Sequence, residues 1–279
     1  MRILAVVLLA VVGVTLWFRG TNGRGPDRPT SSRGEKMSTD VSSDDLAAVA
    51  RSRVFFGHQS VGMNLLDGIS AVYASHGVAP PRIAKGRLPL GTSSAYIEHD
   101  YIGENEKPFL KLQDFDKVMR DGVAQQVDVA VMKFCYIDIR TDTDVEALFA
   151  KYRDTIAALE RDFPKVTIVK MTVPVTTERH GLSMVKAWVT QSDRMGPAEN
   201  AARERLNTLI RRQYAEDHLL DLAAVESTAP SGAVSTGNYQ GQPYVSLYDG
   251  YASDSGHLNA EGSRLAAFAW IRAVAGAAR

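Results

Sequence analysis

Two short segments near opposite ends of the chain contain residues that could carry nucleophilic chemistry. The first is VFFGHQSVGMNLLDGI, which places Ser60 after a predicted strand and at the start of an amphipathic helix. Unpaired N–H groups and the helix dipole both favour negative charge at a helix N-terminus. Ser60 is therefore a candidate nucleophile, and the alternative is that it is an ordinary helix N-cap.

The second segment is YASDSGHLNAEGSRLAA, in which Asp254 precedes His257 by three residues. A carboxylate at this spacing can bind Nδ1 of the imidazole and leave Nε2 free to accept a proton. The alternative is that Asp254 forms a turn, His257 lies on the surface, and Asn259 caps the last helix.

The sequence resembles the SGNH (GDSL-type) hydrolase family. Like members of that family, it has a serine after the first strand and an Asp/His pair before the last helix. The resemblance extends from about Val54 to the end, and DSGHLNAEG is its strongest element. It implies that Ser60 is the nucleophile, His257 the general base and Asp254 its orienting partner. It also implies a flavodoxin-like sandwich with five parallel strands, and neither a metal nor an organic cofactor.

The chain departs from the family pattern at two places. GHQS (57–60) stands where the family has G-D-S, and KFCYID (133–138) contains no counterpart of the oxyanion-binding Asn of G-x-N-D. An oxyanion hole needs other donors. We expect them in EHDYIGENEKP, where Gly103 offers a backbone N–H and Asn105 a side-chain amide, although both are also common turn residues.

Other polar residues are expected near the same cleft. Tyr136 and Asp138 follow the central predicted strand on the substrate side, and His58 precedes the nucleophile, so these three are candidate substrate contacts. Lys133 is expected to pair with Asp138 or Asp100, or to reach the strand end, because a buried charge needs a partner. The single cysteine, Cys135, is expected to be a small buried apolar residue.

Short apolar runs alternate with stretches of helical periodicity, which predicts an α/β fold with a parallel sheet and helices on both sides. The predicted strands are Arg53 to Phe56, Arg82 to Lys85, Val127 to Phe134, Val166 to Met171 and Leu219 to Leu222. The predicted helices are Val61 to Ser75, Pro108 to Asp121, Asp142 to Arg161, Pro197 to Ala215 and Ala260 to Ala275. Three long loops are expected, at 86–107, 172–196 and 223–256.

The N-terminal region differs in composition from the rest of the chain. Residues 1–18 contain Arg2 and an uninterrupted apolar run, Ile3 to Phe18, which predicts a signal or membrane anchor. Residues 19–43 are rich in Gly, Ser, Thr, Pro and Arg and predict a flexible linker, so the folded domain is expected at 44–279. The protein is thus expected outside the cytoplasm, anchored to the membrane or secreted after cleavage.

These features favour an esterase or acyl-transferring hydrolase acting on acylated substrates, such as O-acetylated carbohydrate of the cell envelope. Lys plus Arg equals Asp plus Glu, at 32 each, which argues against a nucleic-acid partner. One alternative is an SGNH-fold protein with little or no activity that binds carbohydrate or assists envelope assembly. Another is a metal-dependent hydrolase with Asp254 and His257 as ligands.

Overall fold

The chain folds around a parallel β-sheet. The computed structural model describes residues 40–86, 94–178, 195–215 and 218–279, and within these ranges six strands form one sheet. They are β1 (Arg53–His58), β2 (Arg82–Lys85), β3 (Tyr96–Tyr101), β4 (Val129–Met132), β5 (Thr167–Met171) and β6 (Leu219–Leu220). Their order is β2-β3-β1-β4-β5-β6, and every neighbouring pair is parallel.

Helices cover both faces of this sheet. They are α1 (Ser43–Arg51), α2 (Val61–Ser75), α3 (Pro108–Val118), α4 (Val145–Asp162), α5 (Pro197–Tyr214), α6 (Leu222–Ser227) and α7 (Ala260–Ala277). Helix α7 packs on α1, α2 and α6, whereas α4 packs on α3 and α5. The predicted α/β class with helices on both sides is therefore confirmed.

Alternating strand residues supply two separate hydrophobic cores. On β1, Val54 and Phe56 join the core under α2 and α7, and Phe55 joins the core under α3, α4 and α5. On β4, Val129 joins the first of these cores and Ala130 joins the second. Successive side chains of a strand point to opposite faces, so a strand covered on both sides is apolar throughout.

The predicted number of five strands is wrong, because β3 lies inside the segment 86–107 that was expected to be a loop. Its sequence, YIEHDY, lacks the apolar pattern of a buried strand, yet Glu98 and His99 are buried. The expected loop at 223–256 also contains an antiparallel hairpin, formed by β7 (Thr236–Tyr239) and β8 (Gln242–Val245).

Most of the other predicted elements match within a few residues. The last residues of the predicted linker (19–43) belong to the fold. Val41 is buried, and Ser42 caps α1 with a reciprocal capping box. The expected anchor (1–18) and most of the linker lie outside the described residues. Among the described helices, none is long and apolar enough to cross a membrane.

One carboxyl group of helix α6 lies deep in the fold. Glu226 is 1% exposed, and its Oε2 accepts the N–H of Val175 at 2.8 Å. Its Oε1 has no hydrogen-bond partner among the described residues. Burial raises the pKa of Glu226 from 4.5 to about 8, against the opposing effects of the Val175 N–H and of the charges of Lys133 and Arg203. The folded protein therefore holds this carboxyl group protonated at neutral pH.

We expect Glu226 to make stability depend on pH. Between pH 4.5 and about 8, the unfolded chain has released this proton and the folded chain retains it, so the free energy of unfolding falls as pH rises. The loss reaches about 3 kcal/mol at neutral pH. Glu226→Gln should reduce this fall, as measured by urea unfolding at about pH 5 and about pH 7.5. Glu104→Gln changes an exposed carboxyl group, so its free energy of unfolding should vary with pH as in the wild type. If Glu226→Gln also showed the wild-type pH dependence, Glu226 would not be the group responsible.

Candidate functional site

Ser60 lies where β1 ends and α2 begins, at the carboxyl edge of the sheet. It occupies the N-cap position of α2, but its side chain makes no capping hydrogen bond. Instead, Ser60 Oγ lies 3.9 Å from Cys135 Sγ. The interpretation of Ser60 as an ordinary N-cap is therefore wrong. Its backbone N–H donates to no acceptor within the part of the chain that the structure describes.

The GHQSVG sequence around Ser60 has a packing explanation. A Cβ atom on Gly62 would lie 2.2 Å from Nδ1 of the buried His58, so only glycine lets α2 begin this close to β1. Gln59 Nε2 donates to the carbonyls of Ile102 and Gly103 at 3.2 and 3.1 Å. The residue before Ser60 thus holds the loop that follows β3.

His58 is not a substrate contact, contrary to the prediction. Its side chain is buried, its Nδ1 lies 3.3 Å from Gln59 O, and its Nε2 lies 3.0 Å from His99 Nδ1. A carbonyl oxygen only accepts, so His58 Nδ1 carries the hydrogen and its Nε2 accepts from His99. Burial, followed by the charge of Lys133, lowers the pKa of His58 to about 3. The ring is a neutral structural group beneath the site.

Asp254 and His257 form the predicted pair in the loop before α7. His257 Nδ1 lies 2.8 Å from Asp254 Oδ2, and Asp254 Oδ1 accepts the N–H groups of Gly256 and His257, both at 2.8 Å. Burial alone would raise the pKa of Asp254, but the hydrogen bonds from Gly256 and His257 hold it below its ordinary value. The carboxylate fixes the hydrogen on Nδ1, which leaves the Nε2 lone pair available.

The two predicted halves of the site meet at consecutive residues after β4. Ser60 contacts Cys135, and the half-buried His257 ring packs edge-on against the ring of Tyr136, with 5.7 Å between centroids. Asn64, one helical turn after Ser60, donates to the carbonyl of Leu258 at 3.3 Å. Ser60 and His257 thus contact adjacent residues of one turn, and among the described residues the Ser60 hydroxyl contacts Cys135 Sγ and not the imidazole.

Tyr136 was predicted as a substrate contact. Its side chain is 7% exposed, and its ring packs edge-on against the ring of His257. Burial and the nearby charge of Asp254 raise its pKa to about 12, so the phenol remains neutral.

Of the two predicted oxyanion donors, the structure leaves the Asn105 amide available and occupies the Gly103 N–H. Gly103 has φ +52°, and its N–H donates to Asp114 Oδ2 at 2.8 Å, so this group is not available to a substrate and the prediction for Gly103 is wrong. Asn105 is exposed, and its Oδ1 accepts from Lys111 Nζ at 3.1 Å. Its Nδ2 has no acceptor among the residues described.

Asp138 is fully enclosed by protein and does not reach the substrate side as predicted. Its Oδ2 accepts from Lys111 Nζ and from the Cys135 N–H, both at 2.6 Å, and its Oδ1 accepts the Glu106 N–H at 3.0 Å. The expected pairing of Lys133 with Asp138 is therefore wrong, since Lys111 occupies that position.

Lys133 follows the last residue of β4, and its side chain stays at the end of that strand, as the alternative prediction for this residue stated. Its Nζ donates to the Phe134 carbonyl at 3.0 Å and lies 3.6 Å from Cys135 Sγ. Burial lowers the pKa of Lys133. Cys135 is buried as expected, but it is also the contact of the candidate nucleophile, which the sequence did not indicate.

Sequence reasoning missed Lys111 and Gln59 entirely. Lys111 lies on the face of α3 that also carries the buried residues Pro108, Leu112 and Phe115. A lysine at a position that helical periodicity assigns to the core is a detectable signal, because such a charge needs a buried partner. Within the described ranges, no three His, Cys, Asp or Glu side chains are grouped to hold a metal ion.

Comparisons with known proteins add little to this geometry. No family model matches the chain, and no curated protein matches it. A solved structure described as "a putative platelet activating factor from Streptococcus pneumonia" is similar to it, with a TM-score of 0.42 and 15% identity. The match covers 81% of this chain and 85% of that one. At this level the likeness does not indicate an activity.

Gly62→Ala tests the packing beneath Ser60. The new methyl group would lie 2.2 Å from His58 Nδ1, so either the buried ring or the start of α2 must move. We expect a loss of roughly 1 to 3 kcal/mol in the free energy of unfolding, measured by urea denaturation. Gly276→Ala is the matched control, because it lies in helix α7 with nothing within 4 Å and should be neutral or slightly stabilising. Equal stability of the two variants would contradict this packing role.

Proposed function

We propose that this protein is a serine hydrolase of the SGNH type that cleaves acyl esters, with Ser60 as nucleophile, His257 as base and Asp254 as its orienting partner. The observation that carries the proposal is the 2.8 Å contact between His257 Nδ1 and Asp254 Oδ2, because His257 packs on Tyr136 and the preceding residue, Cys135, contacts Ser60. An imidazole held in this tautomer next to a serine at a helix N-terminus is the arrangement that nucleophilic acyl transfer requires.

In the proposed reaction, the Ser60 side chain rotates away from Cys135 and donates its hydrogen to His257 Nε2. Oγ then attacks the ester carbonyl carbon, and the resulting imidazolium protonates the departing alcohol oxygen. The products of this first half are an acyl-Ser60 ester and the free alcohol. Water, activated by His257, hydrolyses the acyl-enzyme and restores the hydroxyl group. A sugar hydroxyl in place of water would give acyl transfer.

The negative charge on the carbonyl oxygen needs donors. The Ser60 N–H is available at the start of α2, and the Asn105 amide is the second candidate, because Gly103 is committed to Asp114. Loss of one such donor reduces the rate by about 10² to 10³ in other acyl-transfer enzymes.

For the substrate we propose an acyl ester on cell-envelope carbohydrate, such as an O-acetyl group. This proposal depends on the apolar run Ile3 to Phe18, which predicts export and a membrane anchor. The flavodoxin-like SGNH fold belongs to the same proposal and is supported by the parallel sheet order and by the site at its carboxyl edge.

A second candidate function is carbohydrate binding or envelope assembly without efficient chemistry. Two observations favour it: the Ser60 hydroxyl contacts Cys135, and the Gly103 N–H is occupied by Asp114. An inactive protein could retain both arrangements permanently, whereas an enzyme must release at least the first.

A fluorophosphonate probe separates the two functions. An active enzyme should be labelled on Ser60, as located by mass spectrometry of the digested protein, because the phosphorus centre reacts as the ester carbonyl does. Ser60→Ala should abolish labelling. Ser255→Ala is the matched control, since Ser255 is exposed in the same loop as His257, and it should label like the wild type. Absence of labelling in correctly folded wild type would support the binding function and contradict the enzyme.

Asp254→Asn tests the role of the carboxylate. The amide oxygen can still accept the backbone N–H groups, but the amide nitrogen would then face Nδ1 and favour the tautomer with hydrogen on Nε2. We expect kcat for p-nitrophenyl acetate to fall by about 10³ to 10⁴, as for a wrong tautomer in other triads. The thermal midpoint should change little. A kcat within a few fold of wild type would show that Asp254 does not orient the base.

A further inference from the structure

The loop between β3 and α3 is held by two buried charges of opposite sign. Lys111 Nζ and Asp138 Oδ2 are 2.6 Å apart, and neither side chain is exposed to solvent. Lys111 comes from α3, and Asp138 follows β4, so the pair connects segments on either side of β1. A buried ion pair is a poor source of stability compared with apolar packing. Its presence between two segments of the candidate site therefore suggests a role in that site.

Each charge also holds a part of the loop. Asp138 accepts the Glu106 N–H through Oδ1, and Lys111 donates to Asn105 Oδ1 at 3.1 Å. Glu106 has φ +66°, a left-handed conformation that non-glycine residues rarely adopt without support from their surroundings. Arg140 Nη1 binds the Glu106 carboxylate at 2.9 Å. The loop is thus fixed at two consecutive residues in an unusual conformation.

The contact with Lys111 determines which way the Asn105 amide faces. An ammonium group has three donors and no acceptor, so only Oδ1 of Asn105 can lie against it. Nδ2, the donor end, is consequently directed away from Lys111, and the side chain is exposed. An asparagine without such a partner could present either atom.

The same loop is tied to Ser60 from both directions. Gln59, next to Ser60, donates to the carbonyls of Ile102 and Gly103. Asp138 accepts the N–H of Cys135, whose sulfur contacts Ser60 Oγ. The loop that carries Asn105 is therefore anchored to Gln59, which precedes the nucleophile, and through Asp138 to Cys135, which contacts its hydroxyl.

We propose that Lys111 and Asp138 are positioning residues that direct the Asn105 amide towards the oxyanion of the reaction at Ser60. The inference depends on the proposed hydrolase function and deepens it. Asn105 is the donor that contacts the substrate oxygen, and the buried pair acts through it. Lys111 sets the orientation of the amide, and Asp138 holds both Lys111 and the backbone of Glu106.

A double-mutant cycle tests this arrangement on the full chain, with p-nitrophenyl acetate as substrate. Asn105→Ala removes the donor from an exposed side chain, and we expect kcat to fall by about 10² to 10³ with little change in KM. Asn105→Asp keeps the shape and the Lys111 contact but replaces the donor by an acceptor, and kcat should fall at least as far. Glu104→Gln, exposed in the same loop, is the matched control and should retain wild-type kcat.

Lys111→Met should reduce kcat at least tenfold, and the double variant Asn105→Ala/Lys111→Met should be no slower than Asn105→Ala within about threefold. This non-additivity separates positioning from general structural support, since independent effects would multiply. Because Lys111→Met leaves a buried carboxylate without its partner, Lys111→Met/Asp138→Asn is measured beside it, with folding checked by circular dichroism. The charge-free pair should fold and show the same low kcat.

The result has three distinguishable outcomes. If folded wild type is neither labelled by the fluorophosphonate nor active, the proposed function fails and this inference fails with it. If the wild type is active but Asn105→Ala keeps kcat within about threefold, or if the effects of Lys111→Met and Asn105→Ala multiply, only the positioning role is overturned. Loss of kcat in Asn105→Ala together with non-additivity supports it.

Discussion

The contact between Lys111 and Asp138 is the constraint on which the carboxyl edge of the sheet depends. The order β3-β1-β4 places one segment on each side of β1, the strand that leads to Ser60, and the ion pair joins those two segments. Separating them would leave an unpaired charge in the protein interior, which typically costs 3 to 5 kcal/mol. Ser60 therefore lies between two segments that cannot move independently.

The Asp254 and His257 pair is held in a different way. All three contacts of Asp254 are to residues within three positions along the chain, so the geometry of the pair is a property of its own loop. Its position relative to Ser60 depends on packing instead, because Gly256 and His257 lie against the ring of Tyr136. Tyr136 follows Cys135 directly, so a single turn after β4 supports both the nucleophile and the base.

The sequence predicted those features that arise from periodicity and local spacing. Buried strands such as β4 and helices such as α2 have clear apolar patterns, and Asp254 and His257 are close enough for their contact to be expected. Strand β3 was missed because Glu98 and His99 are polar residues buried by tertiary packing. The role of Gly103 was wrong because its N–H is taken by Asp114, a residue brought near by α3 and not by sequence proximity. Such partners cannot be read from one sequence.

The resting position of the Ser60 hydroxyl fits the proposed reaction better than its partner first suggests. Thiol sulfur is a weak hydrogen-bond acceptor, and 3.9 Å is a long contact, so little energy holds the hydroxyl on Cys135. His257, by contrast, is fixed by a charged partner at 2.8 Å. The more weakly held partner is thus the small serine side chain, whose hydroxyl moves by rotation about its Cα–Cβ bond. An arrangement with a strongly bound serine and a loose histidine would require the larger group to find its position during each turnover.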